Sequence, residues 1–189
     1  SPRVRRARKS TVELLLSDHP QECLTCVRNG SCELQALTRD LGIREIHFAG
    51  KRHNLPTDDS SASIVRDPNK CVLCRRCIAV CSKVQGLSIL GALERGFDTV
   101  VAPAWHQNLA ETACTNCGQC VVACPTGALS EKDATEQVFA ALADPEKHVV
   151  VQTAPAVRVA LGEEFGMEPG AIVTGKMVAA LRRLGFDRV

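Results

Sequence analysis

The spacing of apolar residues shifts between helical and alternating along the chain, and the shifts divide it into segments. Val4, Thr11, Val12, Leu15 and Leu16 share one face at helical spacing and predict an opening helix. Arg3, Arg5, Arg6, Arg8 and Lys9 crowd its first turns, where positive charge opposes the macrodipole, so they read as a solvated or partner-facing surface. Gln35 to Asp40 predicts a short helix, and Ile43 to Phe48 alternates as a strand does. Gly50 to Ser63 is polar and rich in breakers and reads as a linker. Leu87 to Leu93 and Thr99 to Ala102 predict a hairpin around Glu94-Arg95-Gly96. Further on, Asp133 with Glu136 reads as a helix cap ahead of the stripe Val138, Phe139 and Leu142. His148 to Gln152 predicts a short buried strand, and Pro155 opens a helix running to Phe165. Thr174 reads as the cap of a last helix with Met177, Val178, Leu181 and Leu184 on one face and Gly185 at its end. Strand alternating with helix implies an α/β arrangement here, and the pattern stops at Val189 as another strand begins, so the domain reads as incomplete.

Cysteines change this picture. Eight of the eleven fall in two copies of one pattern, Cys71-x2-Cys74-x2-Cys77-x3-Cys81 and Cys114-x2-Cys117-x2-Cys120-x3-Cys124, the second followed by Pro125 and the first by Ser82. This is the signature of a ferredoxin with two four-iron clusters, in which the fourth cysteine of each run ligates the other cluster. The expected sets are therefore Cys71, Cys74, Cys77 and Cys124 for one cluster, and Cys114, Cys117, Cys120 and Cys81 for the other. The remaining cysteines lie in His19-Pro20-x2-Cys23-x2-Cys26-x5-Cys32. Three thiolates lack a fourth partner and His19 stands four residues upstream, so His19, Cys23, Cys26 and Cys32 form a third set. A neutral imidazole in place of a thiolate makes that cluster less negative and raises its potential. A zinc-held scaffold is the alternative from another class, although each run offers three close ligands and an offset fourth where zinc sites pair Cys-x2-Cys units. A disulfide framework fits poorly, because cysteines two residues apart in a tight loop rarely reach bridging geometry.

Composition agrees with a metal-held fold. Aromatic residues make up three per cent of the chain and Tyr is absent, so clusters substitute for core and metal binding becomes folding free energy. The formal charge of +2 falls to about −3 once three cluster cores and their thiolates are counted. The basic start has no interleaved aromatics to stack bases, which weakens a nucleic-acid reading. No apolar run reaches the ~20 residues of a membrane span, and eleven cysteines without a secretory signal fit a reducing cytoplasm. Gly170-x4-Gly175-Lys176 copies part of a P-loop, but Met177 stands where a Ser or Thr would hold magnesium, so it reads as a loop and a helix start.

Together these motifs resemble the N-terminal half of the catalytic subunit of [FeFe]-hydrogenases. The resemblance spans essentially the whole chain: His19 to Cys32, Asn69-Lys70-Cys71-Val72-Leu73-Cys74, Asn116-Cys117-Gly118-Gln119-Cys120, Cys124-Pro125, Thr153-Ala154-Pro155-Ala156-Val157-Arg158, Val173-Thr174-Gly175-Lys176 and Leu184-Gly185-Phe186-Asp187. The element of one histidine and three cysteines also resembles one in respiratory complex I, and the cluster series resembles that of some molybdenum or tungsten formate dehydrogenases, the second oxidoreductase reading. The hydrogenase resemblance implies an α+β chain. Residues 1–50 would be an iron–sulfur module with one His and three Cys ligands, 51–66 a linker, 67–130 a two-[4Fe–4S] ferredoxin-like domain, and 131–189 the start of an α/β H-cluster domain. It implies electron relay through three [4Fe–4S] clusters to a di-iron H-cluster that interconverts protons and hydrogen. The residues matching Ala154, Pro155 and Ala156 would line the H-cluster pocket, with Ala156 where many members carry Ser. The cysteines that hold the H-cluster lie beyond Val189 in the family, so this stretch alone is expected to be inactive. Members commonly carry an upstream [2Fe–2S] domain and work with the remainder of the catalytic subunit and with a flavin/iron–sulfur subunit oxidising NAD(P)H, or with ferredoxin.

Overall fold

A computed structural model describes residues 1–189. The chain divides into two compact units, Ser1–Lys132 and Asp133–Val189. The first opens with α1 (Pro2–Asp18) and α2 (Glu33–Leu41), which pack on each other. Pro2 sits in the first turn of α1, where its missing N–H costs nothing. Gly42 ends α2 in the left-handed region at φ 65°, the conformation a C-terminal glycine adopts most cheaply. Val12, Leu16, Leu34 and Ile43 form the small core between them. The apolar face of α1 is narrower than its sequence implies: Val4 and Leu15 are exposed, while Glu13 is buried near Lys9 and His47.

Ile43 to Phe48 forms no strand. Alternation was the wrong period, because Ile43 and Ile46, three residues apart, both pack into the α1–α2 cluster and no sheet edge is there to pair with. Gly50 to Ser63 is not a free linker either. Leu55 and Asn69 exchange two hydrogen bonds of 2.8 Å. Asp58 exchanges backbone bonds of 2.8 Å with Arg66, and its buried carboxylate accepts from the Leu109 N–H and from the Ser60 N–H and hydroxyl. The stretch is thus stitched to the ferredoxin-like domain by its polar side chains.

That domain is closed by β1 (Ile64–Arg66) and β4 (Leu129–Glu131), antiparallel with Val65 opposite Ser130. Between them lie α3 (Arg76–Ala79), the hairpin β2 (Leu90–Leu93) and β3 (Val100–Pro103), and α4 (Gln119–Ala123). The hairpin pairs Leu90 with Pro103, as predicted apart from its ends. The core gathers Ile64, Leu90, Val101, Leu109, Val121 and Leu129 around Cys77 and Cys124.

In the second unit the helices are α5 (Thr135–Leu142), α6 (Pro155–Glu164) and α7 (Thr174–Arg183). Asp133 caps α5 from one residue outside the expected position, accepting from the Thr135 N–H at 2.9 Å. Val173 occupies the cap position of α7, so Thr174 is its first helical residue and not its cap. His148 to Gln152 contributes one parallel bridge, Val150 to Arg188, in place of the expected strand. No helix is long and apolar enough to cross a membrane.

Candidate metal centres

The two cysteine runs build the same loop twice. Leu73 and Arg75 in the first, and Asn116 and Gly118 in the second, all lie at positive φ, 53° and 62° against 55° and 73°. Left-handed residues at alternate positions curl the backbone around the cysteines and turn its amides inward. Arg75 occupies without glycine the conformation that Gly118 adopts freely. The runs then diverge. After Cys124, Pro125 stops the helix, whereas Cys81-Ser82 lies inside a π-helical turn, Val80–Val84.

Cys71, Cys74, Cys77 and Cys124 line one pocket with Pro125 and Thr126. Burial and the neighbouring sulfurs of Cys71 and Cys124 push the Cys77 thiol up to about 12. Burial likewise raises Cys71, with Cys124 and Cys74 adding to it. The Leu73 N–H points at the Cys71 sulfur at 3.4 Å. Cys120 is raised to about 11, by burial first and then by Cys114, with Cys117 adding less. Cys114 and Cys120 pack against the core while Cys117 is exposed. The π-helical turn bearing Cys81 packs on α4, which carries Cys120, and the Ile89 N–H reaches the Cys81 sulfur at 3.4 Å.

A second pocket is lined by His19, Cys23, Cys26 and Cys32 together with Lys70 and Gly127. His19 follows the end of α1, Cys23 begins a 3₁₀ turn, and Cys32 is the N-cap of α2. Burial holds His19 below its ordinary value, and the charge of Lys70 adds to this. Its buried Nδ1 has no hydrogen-bond partner. A neutral, under-satisfied imidazole in a pocket of three thiols has the donor chemistry of a metal ligand. The pocket is tied to the ferredoxin-like domain. The Glu33 N–H donates to the Pro125 carbonyl at 3.0 Å, Arg28 to the Val121 carbonyl at 2.7 Å, and Arg76 makes a bidentate pair with Glu33 at 2.5 and 2.9 Å.

All eleven cysteines are free thiols. No three His, Cys, Asp or Glu side chains converge closely enough to hold a single ion.

Ala154, Pro155 and Ala156 lie at the start of α6, all exposed, with Ala154 extended and Pro155 in the first turn. Lys70, Thr126 and Gly127 are neighbours of the sets that sequence reasoning did not single out. Ser61 is another: buried, it donates to Asn116 at 2.6 Å and so braces the second loop from within the supposed linker.

Comparison with known proteins gives three family matches in chain order. Residues 8–47 match the iron–sulfur binding region of NADH-ubiquinone oxidoreductase G, and 61–130 the ferredoxin-like domain of NADH-quinone oxidoreductase subunit 3. Residues 147–189 match the C-terminal domain of the iron-only hydrogenase large subunit. The NADP-reducing hydrogenase subunit HndD of Solidesulfovibrio fructosivorans is 57% identical over all of this chain and 32% of its own length. Iron hydrogenase 1 of Clostridium pasteurianum is 38% identical over 96% of this chain and 32% of its own. The chain thus spans about a third of the length of these curated relatives. A crystal structure of an NAD+-reducing [NiFe]-hydrogenase in the H2-reduced state superposes with a TM-score of 0.66 at 30% identity, covering 71% of this chain and 57% of that one. The match at 147–189 selects the hydrogenase over the formate dehydrogenase reading. With an α+β iron–sulfur region followed by sequence of the hydrogenase C-terminal domain, the chain belongs to the iron-only hydrogenase large-subunit family.

Proposed function

We propose that this chain is the electron-relay portion of an [FeFe]-hydrogenase catalytic subunit. In this reading residues 1–50 and 67–130 hold three [4Fe–4S] clusters, and 51–66 is a strap bound across the second domain. Residues 131–189 open the domain that holds the H-cluster. His19, Cys23, Cys26 and Cys32 would hold one cluster, Cys71, Cys74, Cys77 and Cys124 the second, and Cys114, Cys117, Cys120 and Cys81 the third. The observation that carries the reading is that two complete ligand sets each line one pocket, Cys124 being drawn from the opposite run. Bound clusters would supply reversible one-electron carriage. The chain's own residues supply thiolates, a neutral imidazole and backbone N–H groups that donate to sulfur. Electrons would pass between a cytoplasmic NAD(P)H-oxidising flavin subunit or ferredoxin and the H-cluster, against which Ala154, Pro155 and Ala156 would pack at the start of α6. An upstream [2Fe–2S] domain would extend the relay, and this stretch alone would not make hydrogen.

Anaerobic reconstitution tests the reading. It expects about twelve irons per chain and three reducible paramagnetic centres, from eleven cysteines and one histidine. Cys124→Ser should deplete the centre of Cys71, Cys74 and Cys77 before that of Cys114, Cys117 and Cys120. About eight irons would remove the His19 set from the relay, and stoichiometric zinc with no brown colour would replace the relay with a scaffold.

A further inference from the structure

Lys70 is the residue before Cys71, yet its side chain lines the pocket of His19, Cys23, Cys26 and Cys32. By its backbone it belongs to one set, and by its ammonium stem to the other. Several contacts hold it there. The Thr126 hydroxyl donates to the Lys70 carbonyl at 2.7 Å, and the Thr126 hydroxyl oxygen lies 3.8 Å from the Cys124 sulfur. Gly127 leaves nothing between the Lys70 stem and Cys26. A Cβ built there would lie 3.4 Å from Lys70 Cδ and 2.8 Å from the Cys26 sulfur. Asp67 meets the ammonium at 3.0 Å, and its other carboxylate oxygen accepts from the Asn69 N–H and side-chain amide. Only a quarter of the Lys70 side chain is exposed.

We propose that Lys70 is an electrostatic tuning residue of the relay. It would be a fixed positive charge beside the His19-Cys23-Cys26-Cys32 set that raises the reduction potential of that set. The inference rests on the reading of that set as cluster ligands. Each reduction adds one electron and one negative charge to a cluster, and a cation beside it in a partly dry site stabilises the reduced form more than the oxidised one. Arg keeps this charge and Gln removes it.

Redox titration of the iron-loaded chain with a low-potential chemical reductant, followed by paramagnetic resonance, is the test. Lys70→Gln should shift the His19-Cys23-Cys26-Cys32 centre to more negative potential, further than either of the other two centres. Lys70→Arg should keep all three near their original potentials, and Asp67→Asn, which removes the counter-charge, should shift the His19-set centre upward. Full iron with no shift in Lys70→Gln, or an equal shift of all three centres, overturns the proposal. If Lys70→Gln sheds iron, the sign of the Asp67→Asn shift decides alone: upward supports it, and no change or a downward shift overturns it. An unsubstituted chain with no centre at the His19 set is recognised by its iron count, and there the relay reading fails and takes this one with it.

Discussion

Gly127→Ala is the smallest change that should separate one candidate centre from the other two. The backbone at 127 lies outside the left-handed region, so a methyl group brings no conformational strain, only contact. That contact is severe: the new Cβ would stand 2.8 Å from the Cys26 sulfur, 3.4 Å from Lys70 Cδ and 3.7 Å from Val27 Cγ2. Ordinary contact begins at 3.4 Å, so the sulfur or the Pro125–Ala128 turn must yield by about 0.6 Å. In the metal-free chain Cys26 is a free thiol that relieves the clash by turning about its side-chain bond, and stability should hardly change. With the sulfur bonded to iron that escape is closed, and overpacking of this kind costs about 1–3 kcal/mol, roughly 5- to 150-fold in retention of the cluster. The assay is iron content and chelator-driven iron release after reconstitution, with paramagnetic resonance to identify the lost centre. Expected is selective loss at the His19 set with the two ferredoxin-type centres intact. Retention at the original rate, or equal loss from all three, would refute the placement of Cys26 against this turn.

Two further outcomes follow from the same geometry. Asp58→Ala should destabilise the first unit by about 2–3 kcal/mol in denaturant unfolding, because it strips partners from the buried Leu109 N–H and from Ser60. Burial alone would raise the Asp58 carboxyl, but the Ser60 hydroxyl, the Leu109 and Ser60 N–H groups and Arg66 together hold it below the usual carboxylate range. Its contribution is therefore fully present above about pH 4 and lost as pH falls through the depressed value, so the gap between the parent chain and Asp58→Ala should close in acid. At the two loops, Gly118→Ala should lower the unfolding midpoint of the loaded chain, since left-handed backbone costs a side chain about 1–2 kcal/mol, while Arg75→Gly should not lower it. Opposite behaviour at the paired positions would mean that the loops are not built alike.

The two cysteine loops were legible because their spacing is local: it decides which thiols one loop can present. The opening helix, the short helix before Gly42 and the hairpin were legible from periodicity. The expected strand at Ile43 to Phe48 was not, because a strand exists only where another edge accepts it, and the two isoleucines had a helix pair to cover instead. The polar run before Ile64 misled for a different reason. Composition cannot tell a side chain that faces water from one that satisfies a buried donor, and Asp58 and Ser61 are of the second kind. Thr126, Gly127 and Lys70 draw their weight from neighbours distant in sequence: Gly127 lies against Cys26 and Lys70, Lys70 lines the pocket of Cys26, and Thr126 bonds the Lys70 carbonyl.

The same thiols serve two purposes, and this accounts for a chain with so few aromatic residues. Cys77 and Cys124 are members of the main core, and Cys71, Cys114 and Cys120 pack directly on it. Most of the ferredoxin-type cysteines are thus hydrophobic core as well as candidate ligands. Burial that suits the core penalises the thiolate, as the raised Cys77 and Cys120 show. Iron resolves that conflict by neutralising the sulfur charge it binds, so loading and tight packing reinforce each other, and loss of metal should loosen the core it leaves behind. Cys74 and Cys117 stand apart. They are the exposed cysteines, at equivalent positions of the two runs, each held between a pair of left-handed residues. Each ferredoxin-type set therefore has a dry side anchored in the core and one sulfur turned to water. In a relay this wet side is where a neighbouring redox group could approach without disturbing the packing that keeps the cluster in place.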